Sequence, residues 1–277
     1  VQMQPINLQY TTIKIPLPEF IYDEVKDFVL NSNTYQPQPK ILKDRLVDKH
    51  DIGEDYIWIT SGCDEGIQML IHAFGKSATV FTPTYIVYAD VELFGGKLNR
   101  VNSFKDNNYS IEPKRYDTEL IFLANPNNPF GSTSRENVIK LIELNHNSII
   151  LIDEAYGEFG ELESCIDLTK KYKNLAVTRS FSKDFAMAGA RIGYLVADPS
   201  LISKVKDHTQ WANTSYASVG MALSALDHED YFINLRKEIR ERREDFKRFL
   251  EQKGYAVLPS NINALLIKLD RKSTRLN

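Results

Sequence analysis

The segments Ala78–Phe81, Leu120–Ala124 (LIFLA), Ser148–Asp153 (SIILID), Leu175–Thr178 and Ile192–Ala197 are apolar almost without interruption. A strand with one solvated face alternates apolar and polar residues. A strand that is apolar on both faces has to be covered on both. Tyr56–Thr60 (YIWIT) reads as a further strand, and the stretches Asp64–Phe74, Thr84–Phe94 and Ser134–Leu144 carry helical periodicity. This alternation predicts an α/β fold: a three-layer α/β/α large domain around a mostly parallel sheet. Gly95 and Gly96 mark the end of one helix, and Ser134 caps the start of another. In such sheets ligands bind at the carboxyl ends of the strands, so the residues after each strand carry the functional question.

After Pro199 the pattern changes. Leu201–Trp211 and Val219–Leu226 read as helices, Tyr231–Lys253 as one long helix, and Ala264–Leu269 (ALLIKL) as a strand of a second lobe. The helix expected over Phe20–Asn31 is assigned to the same lobe. The expected division is a large domain over 32–226 and a smaller α+β domain from 1–31 and 227–277. The run RKEIRERREDFKR mixes charge signs every few residues, which fits a solvated helix face with i,i+4 pairs better than a nucleic-acid stripe.

Composition narrows the functional classes. The chain has 277 residues, 43% hydrophobic and 26% charged, with a formal net charge of -3. That charge offers no footprint for nucleic acid or for an anionic membrane. No apolar run approaches a membrane span, and VQMQPINLQYTT has no basic region followed by an apolar stretch. Cys63 and Cys165 are far apart and in no metal-like spacing, so no metal site is expected. Two buried thiols suit a reducing compartment, and the cytoplasm is the expected location.

Polar residues gather at the strand ends. YIWIT runs into Ser61-Gly62-Cys63-Asp64-Glu65, a tight turn into a helix N-terminus whose amides can hold a phosphate. On the residues alone, Ser61 caps that helix as readily as it binds a ligand. LIFLA runs into Asn125-Pro126-Asn127-Asn128-Pro129-Phe130-Gly131, a turn in which an asparagine amide is fixed between prolines. SIILID ends in Asp153-Glu154-Ala155-Tyr156. Leu175–Thr178 leads into RSFSKDFAMAGARIG (179–193), which sets Lys183, two hydroxyls and Arg191 among small residues. Each group has a structural reading of its own: a cap, a loop, a local ion pair, a surface lysine. Four of them in succession at strand ends are not explained by packing.

Together these motifs resemble the pyridoxal-phosphate-dependent aminotransferases of fold type I, class I/II. Within them the chain is similar to the histidinol-phosphate aminotransferase group. The match runs from Tyr35-Gln36-Pro37-Gln38-Pro39 to about Leu269. The resemblance implies amino transfer between an amino donor and an oxo acceptor: histidinol phosphate and imidazole-acetol phosphate, with glutamate and 2-oxoglutarate, in histidine biosynthesis. It implies pyridoxal 5'-phosphate as cofactor, linked through its aldehyde to the amine of Lys183, which then carries a proton between substrate and cofactor carbons. Asp153 would hold the pyridine nitrogen protonated, and Tyr156 and Asn128 would donate to the phenolic oxygen. Ser180, Ser182, Arg191 and the backbone of Gly62, Cys63 and Asp64 would hold the phosphate. Tyr85 would stack on the ring, although a core aromatic is an equal reading. Tyr35 would reach the phosphate in the neighbouring subunit of a homodimer, although a turn tyrosine packed on prolines is an equal reading.

The chain also departs from the family pattern. LQYTTIKIPLPEF lacks the Asn-Glu-Asn-Pro-like segment that helps to cover the substrate. Family members continue beyond the ALLIKL-like strand and carry there an arginine for the substrate's acidic group. Arg271 and Arg275 instead lie in DRKSTRLN, which resembles a translated sequencing adapter. Val1 is not a methionine. The chain is therefore expected to be truncated and its small domain incomplete. The alternatives are a pyridoxal-phosphate-dependent decarboxylase of phosphothreonine type and a non-catalytic regulatory domain that binds the same cofactor. The regulator would need a helix-turn-helix, for which the residues before Pro37 leave no room.

Overall fold

A computed structural model describes residues 10–269; the tail that carries Arg271 and Arg275 lies outside them, as does Val1. The strands are β1 (Ile57–Thr60), β2 (Ser77–Thr82), β3 (Lys97–Asn102), β4 (Phe104–Lys105), β5 (Asn108–Tyr109), β6 (Leu120–Ala124), β7 (Ile149–Asp153), β8 (Leu175–Ser180), β9 (Gly193–Ala197), β10 (Ala256–Leu258) and β11 (Leu266–Lys268). The helices are α1 (Glu19–Glu24), α2 (Lys26–Leu30), α3 (Lys40–His50), α4 (Cys63–Phe74), α5 (Asp90–Leu93), α6 (Arg135–Leu144), α7 (Gly157–Gly160), α8 (Phe181–Asp184), α9 (Pro199–Val205), α10 (Tyr216–Asp227) and α11 (Glu229–Gln252).

Seven strands form one sheet in the order β1-β9-β8-β7-β6-β2-β3. β8, β7, β6, β2 and β3 pair in parallel, and β9 runs antiparallel to both β8 and β1. The expected mostly parallel sheet is therefore present, with one reversed strand. Alternation along each strand divides the core. Ile121, Leu123, Ile150, Ile152, Leu175 and Val177 belong to one cluster, which includes Leu42 and Leu46 of α3 and Leu141 of α6. Leu120, Phe122, Leu151 and Ala176 belong to the other, which includes Ile67, Leu70 and Ile71 of α4 and Leu201 of α9. Two clusters on opposite faces of one sheet are the three layers that the doubly apolar strands demanded.

Local signals account for the element ends. Ser134 Oγ accepts the Asn137 N–H at the start of α6, as Asp198 does for α9 and Ser215 for α10. Gly95 takes positive φ after α5. Elsewhere the structure differs from the sequence reading. The helix expected over Thr84–Phe94 leaves Tyr85 extended and forms only a 3-10 turn, Ile86–Ala89, and the short α5. The helix expected over Leu201–Trp211 ends at Val205, with a 3-10 turn at Lys206–His208. The chain then leaves helical geometry because Thr209 and Asn213 hydrogen-bond Glu65 of α4. Phe20–Asn31 is broken at Val25 into α1 and α2, both of which pack on α10. β3 has no apolar run to announce it, because it is a half-exposed edge strand. Among the described residues no helix is long and apolar enough to cross a membrane.

Gly193, the first residue of β9, pairs with both Thr60 and Ser180. A Cβ there would lie 2.6 Å from the Arg179 carbonyl oxygen and 3.0 Å from Gly62. Gly193→Ala should therefore destabilise the chain by about 1–3 kcal/mol through forced overpacking, read as a lower denaturation midpoint at unchanged denaturant slope. An unchanged midpoint would contradict the close approach.

Candidate active site

The carboxyl ends of β1, β6, β7 and β8 and the start of β9 lie along one edge of the sheet. The register sets Asp153 of β7 level with Ala124 of β6 and Thr178 of β8. A cleft of about 660 Å³ opens along this edge. It is lined by Cys63, Asp64, Tyr85, Asn128, Asp153, Tyr156, Ser180, Ser182, Lys183 and Arg191, which are the residues read from the strand-end motifs.

Asp153 is buried at the base of the cleft. Its Oδ2 accepts the Tyr88 hydroxyl at 2.7 Å, and its Oδ1 accepts the Ala155 N–H at 3.0 Å. Among the described residues no basic side chain forms an ion pair with it within 4.0 Å. Burial pushes the carboxyl up from its ordinary 3.8 to about 6, against the pull of those two hydrogen bonds, and the Asp64 carboxylate adds to the rise.

Lys183 enters from the short turn after β8. Its Nζ donates to Thr11 Oγ1 at 3.0 Å and to the Thr11 carbonyl at 3.3 Å. Burial is the largest influence on this amine and lowers its pKa below the usual lysine range. Arg191 also lowers it, and Asp64 and Cys63 oppose the shift. The Tyr156 hydroxyl lies 2.6 Å from Thr11 Oγ1 and accepts from Asn128 Nδ2 at 3.2 Å. Burial pushes the Tyr156 phenol up to about 12, with Asp153 adding to the rise.

The other end of the cleft is an anion-shaped cradle. Gly62 has φ +80°, and a Cβ there would lie 2.8 Å from Arg191 Nη2. Cys63 and Asp64, at the start of α4, line the cleft, and the first amides of a helix have no intrahelical acceptor. Ser180 Oγ accepts the Ser182 N–H at 3.0 Å and donates to Ser182 Oγ at 2.8 Å. Arg191 Nη2 bonds Asp64 Oδ2 at 3.0 Å, and the Tyr85 hydroxyl donates to Asp64 Oδ1 at 2.9 Å. One carboxylate thus orients both the guanidinium and the aromatic ring.

Tyr35 is the exception. It is 77% exposed, its ring is 5.4 Å from that of Trp211, and it does not line the cleft of its own chain. Two lining residues whose side chains hydrogen-bond the predicted ones, Thr11 and Tyr88, escaped the sequence reading. Tyr88 had a faint signal in its spacing of three from Tyr85, which puts both on one side of a tight turn. Thr11, 145 residues from Tyr156 and 172 from Lys183, had none.

Fold and cleft define an α/β protein that gathers a buried carboxyl, a lysine amine and an arginine beside a helix N-terminus around one cavity. The family model described as aminotransferase class I and II matches residues 23–275, and the chain belongs to that family. The relatives are specific. A curated histidinol-phosphate aminotransferase from Thermotoga sp. (strain RQ2) is 34% identical, over 93% of this chain and 78% of its own length. One from Geotalea uraniireducens is 30% identical, over 84% of this chain and 74% of its own. Among solved structures, the histidinol-phosphate aminotransferase of Sinorhizobium meliloti, in complex with pyridoxal-5'-phosphate, superposes with a TM-score of 0.87 at 23% identity, covering 95% of this chain and 75% of that one. The L-threonine-O-3-phosphate decarboxylase of Porphyromonas gingivalis has a TM-score of 0.81 at 22% identity, covering 91% of this chain and 79% of that one; at such identity the likeness is one of fold. The chain is an aminotransferase of fold type I, as its motifs implied.

The raised Asp153 carboxyl has a thermodynamic consequence. Its folded pKa lies above its unfolded value, so its contribution to stability is present at low pH and is lost as pH rises through about 6. The loss is on the order of 3 kcal/mol once the group is ionised. Without cofactor, the stability of the chain relative to Asp153→Asn should fall between about pH 4 and pH 7, as measured by denaturant melts. Parallel pH profiles would contradict the assignment.

Proposed function

We propose that the chain transfers the amino group of histidinol phosphate to an oxo acid, with 2-oxoglutarate as acceptor and glutamate as its product, using pyridoxal phosphate held in this cleft. The observation that carries the reading is the convergence of Lys183, Asp153, the Tyr156–Asn128 pair and the Arg191 cradle on one cavity. The identity of 30–34% to curated histidinol-phosphate aminotransferases supports the substrate.

The residues fit the cofactor. Asp153 is a buried carboxyl that accepts from Tyr88 and Ala155 and has no ion-pair partner among the described residues, a partner that a protonated ring nitrogen would supply. Glycine at 62 lets the Arg191 guanidinium close on the turn, where a Cβ would lie 2.8 Å from Nη2. Ser180, Ser182, the guanidinium and the α4 amides form a donor set suited to a phosphate, which accepts several charge-assisted hydrogen bonds. When bound, pyridoxal phosphate supplies a reactive aldehyde and a ring that withdraws electrons from the substrate carbon.

The protein's own part then follows from its geometry. Burial lowers the basicity of Lys183, which raises the fraction of neutral, nucleophilic amine at neutral pH. The same amine moves the proton at the substrate carbon that bears the amino group, a positioned transfer typically worth about 10²–10⁴-fold. Asp153 would hold the proton on the ring nitrogen. Asn128 donates to Tyr156, which aligns the Tyr156 O–H to donate in turn. Asp64 orients Arg191, which would meet the phosphate, and Tyr85, which would stack on the ring.

Tyr35 stands exposed, in keeping with a homodimer in which it serves the neighbouring cleft. The large domain is taken as 32–226, with 1–31 and 227–277 in the small one, and the location as cytoplasmic.

The test is a single-turnover half-reaction. Histidinol phosphate added to the cofactor-loaded chain should bleach the visible band of the bound cofactor faster than unphosphorylated histidinol does, and Lys183→Ala should slow that change by 10² or more. Equal rates for both amines would remove the proposed substrate, and full activity of Lys183→Ala would remove the mechanism.

A further inference from the structure

Several cofactor-facing residues have a charged sequence neighbour behind them, buried for Glu154, Arg179 and Asp184 and half-buried for Glu158. Glu154 follows Asp153, Arg179 precedes Ser180, Asp184 follows Lys183, and Glu158 lies two residues beyond Tyr156. These neighbours form one cluster. Arg179 bonds Glu154 Oε2 through Nε at 2.9 Å and Glu158 Oε1 through Nη1 at 2.8 Å. Glu154 also accepts the Ser164 hydroxyl at 2.7 Å and the Cys165 N–H at 2.6 Å. Arg236, buried on α11, lies 3.8 Å from Glu158 and donates to the Asp184 carbonyl at 2.9 Å.

Among the described residues of this cluster, Asp184 is the one whose carboxyl accepts amides of the Tyr156 turn while its backbone belongs to the Lys183 turn. Its Oδ2 accepts the Glu158 N–H at 3.2 Å and its Oδ1 accepts the Phe159 N–H at 3.3 Å. Those amides begin α7, directly after Tyr156. Its own backbone continues from Lys183 in α8. The side chain of Asp184 therefore fixes the Tyr156 turn, while its backbone carries Lys183 and is held from α11 by Arg236.

We propose that Asp184 is a positioning residue, whose bidentate grip on the Glu158 and Phe159 amides sets Lys183 and Tyr156 relative to one another, with Arg236 of α11 bracing it. The cleft's two reactive groups are then locked by one carboxyl that does not line the cleft. Buried polar groups of this kind hold geometry because each alternative leaves an amide without a partner. The inference rests on the reading of Lys183 as the lysine that binds the cofactor.

The experiment incubates the chain with limiting pyridoxal phosphate, reduces it with borohydride and maps the labelled lysines by mass spectrometry. Label at Lys183 in the unaltered chain tests the functional reading by itself; its absence would sink that reading and leave the role of Asp184 without an object. Given that label, Asp184→Ala should cut labelling at Lys183 at least tenfold, while the exposed Lys40 is labelled as before. A merely structural role would lower thermal stability and leave this ratio alone. Asp184→Asn, which keeps one oxygen as an acceptor, should recover labelling to within threefold of the unaltered chain. Arg236→Leu gives a second route if Asp184→Ala fails to fold, with an expected loss of at least threefold. Unchanged labelling in folded Asp184→Ala or Arg236→Leu would overturn the proposal, as would Asp184→Asn being as impaired as Asp184→Ala.

Discussion

Thr60, Gly193 and Ser180 lie side by side across β1, β9 and β8, and most of the site depends on that alignment. Because β9 runs backwards between its neighbours, its first residues arrive at the same edge where β1 and β8 end. Arg191, two residues before β9, is thereby delivered beside the first turn of α4 and the Ser180–Lys183 turn. Only glycine fits at 193, since the Arg179 carbonyl and the Gly62 turn both press against it. The α4 N-terminus, the Ser180–Ser182 hydroxyls and Arg191, from three separate segments, come together through backbone pairing, with no loop having to reach across the molecule.

The cleft built on this frame is electrically divided. Arg191, paired with Asp64, and the α4 N-terminus stand at one end, while Asp153 lies buried at the base with no ion-pair partner among the described residues. Holding an unpaired carboxyl in a poorly solvated site is unfavourable, and its raised pKa is the sign of that strain. A ligand with an anionic group at one end and a protonated ring nitrogen at the other would relieve it. The ions behind the cleft follow a different rule: Arg179 pairs with both Glu154 and Glu158, and Arg236 lies beside Glu158.

The strands and the motif residues were legible because their signals are local. Continuous apolar runs identified β6, β7 and β8, and Gly62, Asn128, Asp153, Lys183 and Arg191 sit within a few residues of strand ends. β3 was not legible because a half-exposed edge strand has no pattern to set it apart. The premature end of α9 arises from tertiary hydrogen bonds to Glu65, which override a helical pattern over Leu201–Trp211. Thr11 and Tyr88 reach the site through contacts far apart in the chain. Asp184 was visible as an acid beside the lysine, but its partners Glu158, Phe159 and Arg236 come from other elements and only the fold reveals them.

The most direct test of the account is a crystal structure of the chain grown with pyridoxal phosphate. The account predicts density continuous from the Lys183 side chain, the ring nitrogen against Asp153 and the phosphate on Arg191 and the first amides of α4. A cofactor bound elsewhere, or in this cleft with the phosphate at the Asp153 end, would contradict it.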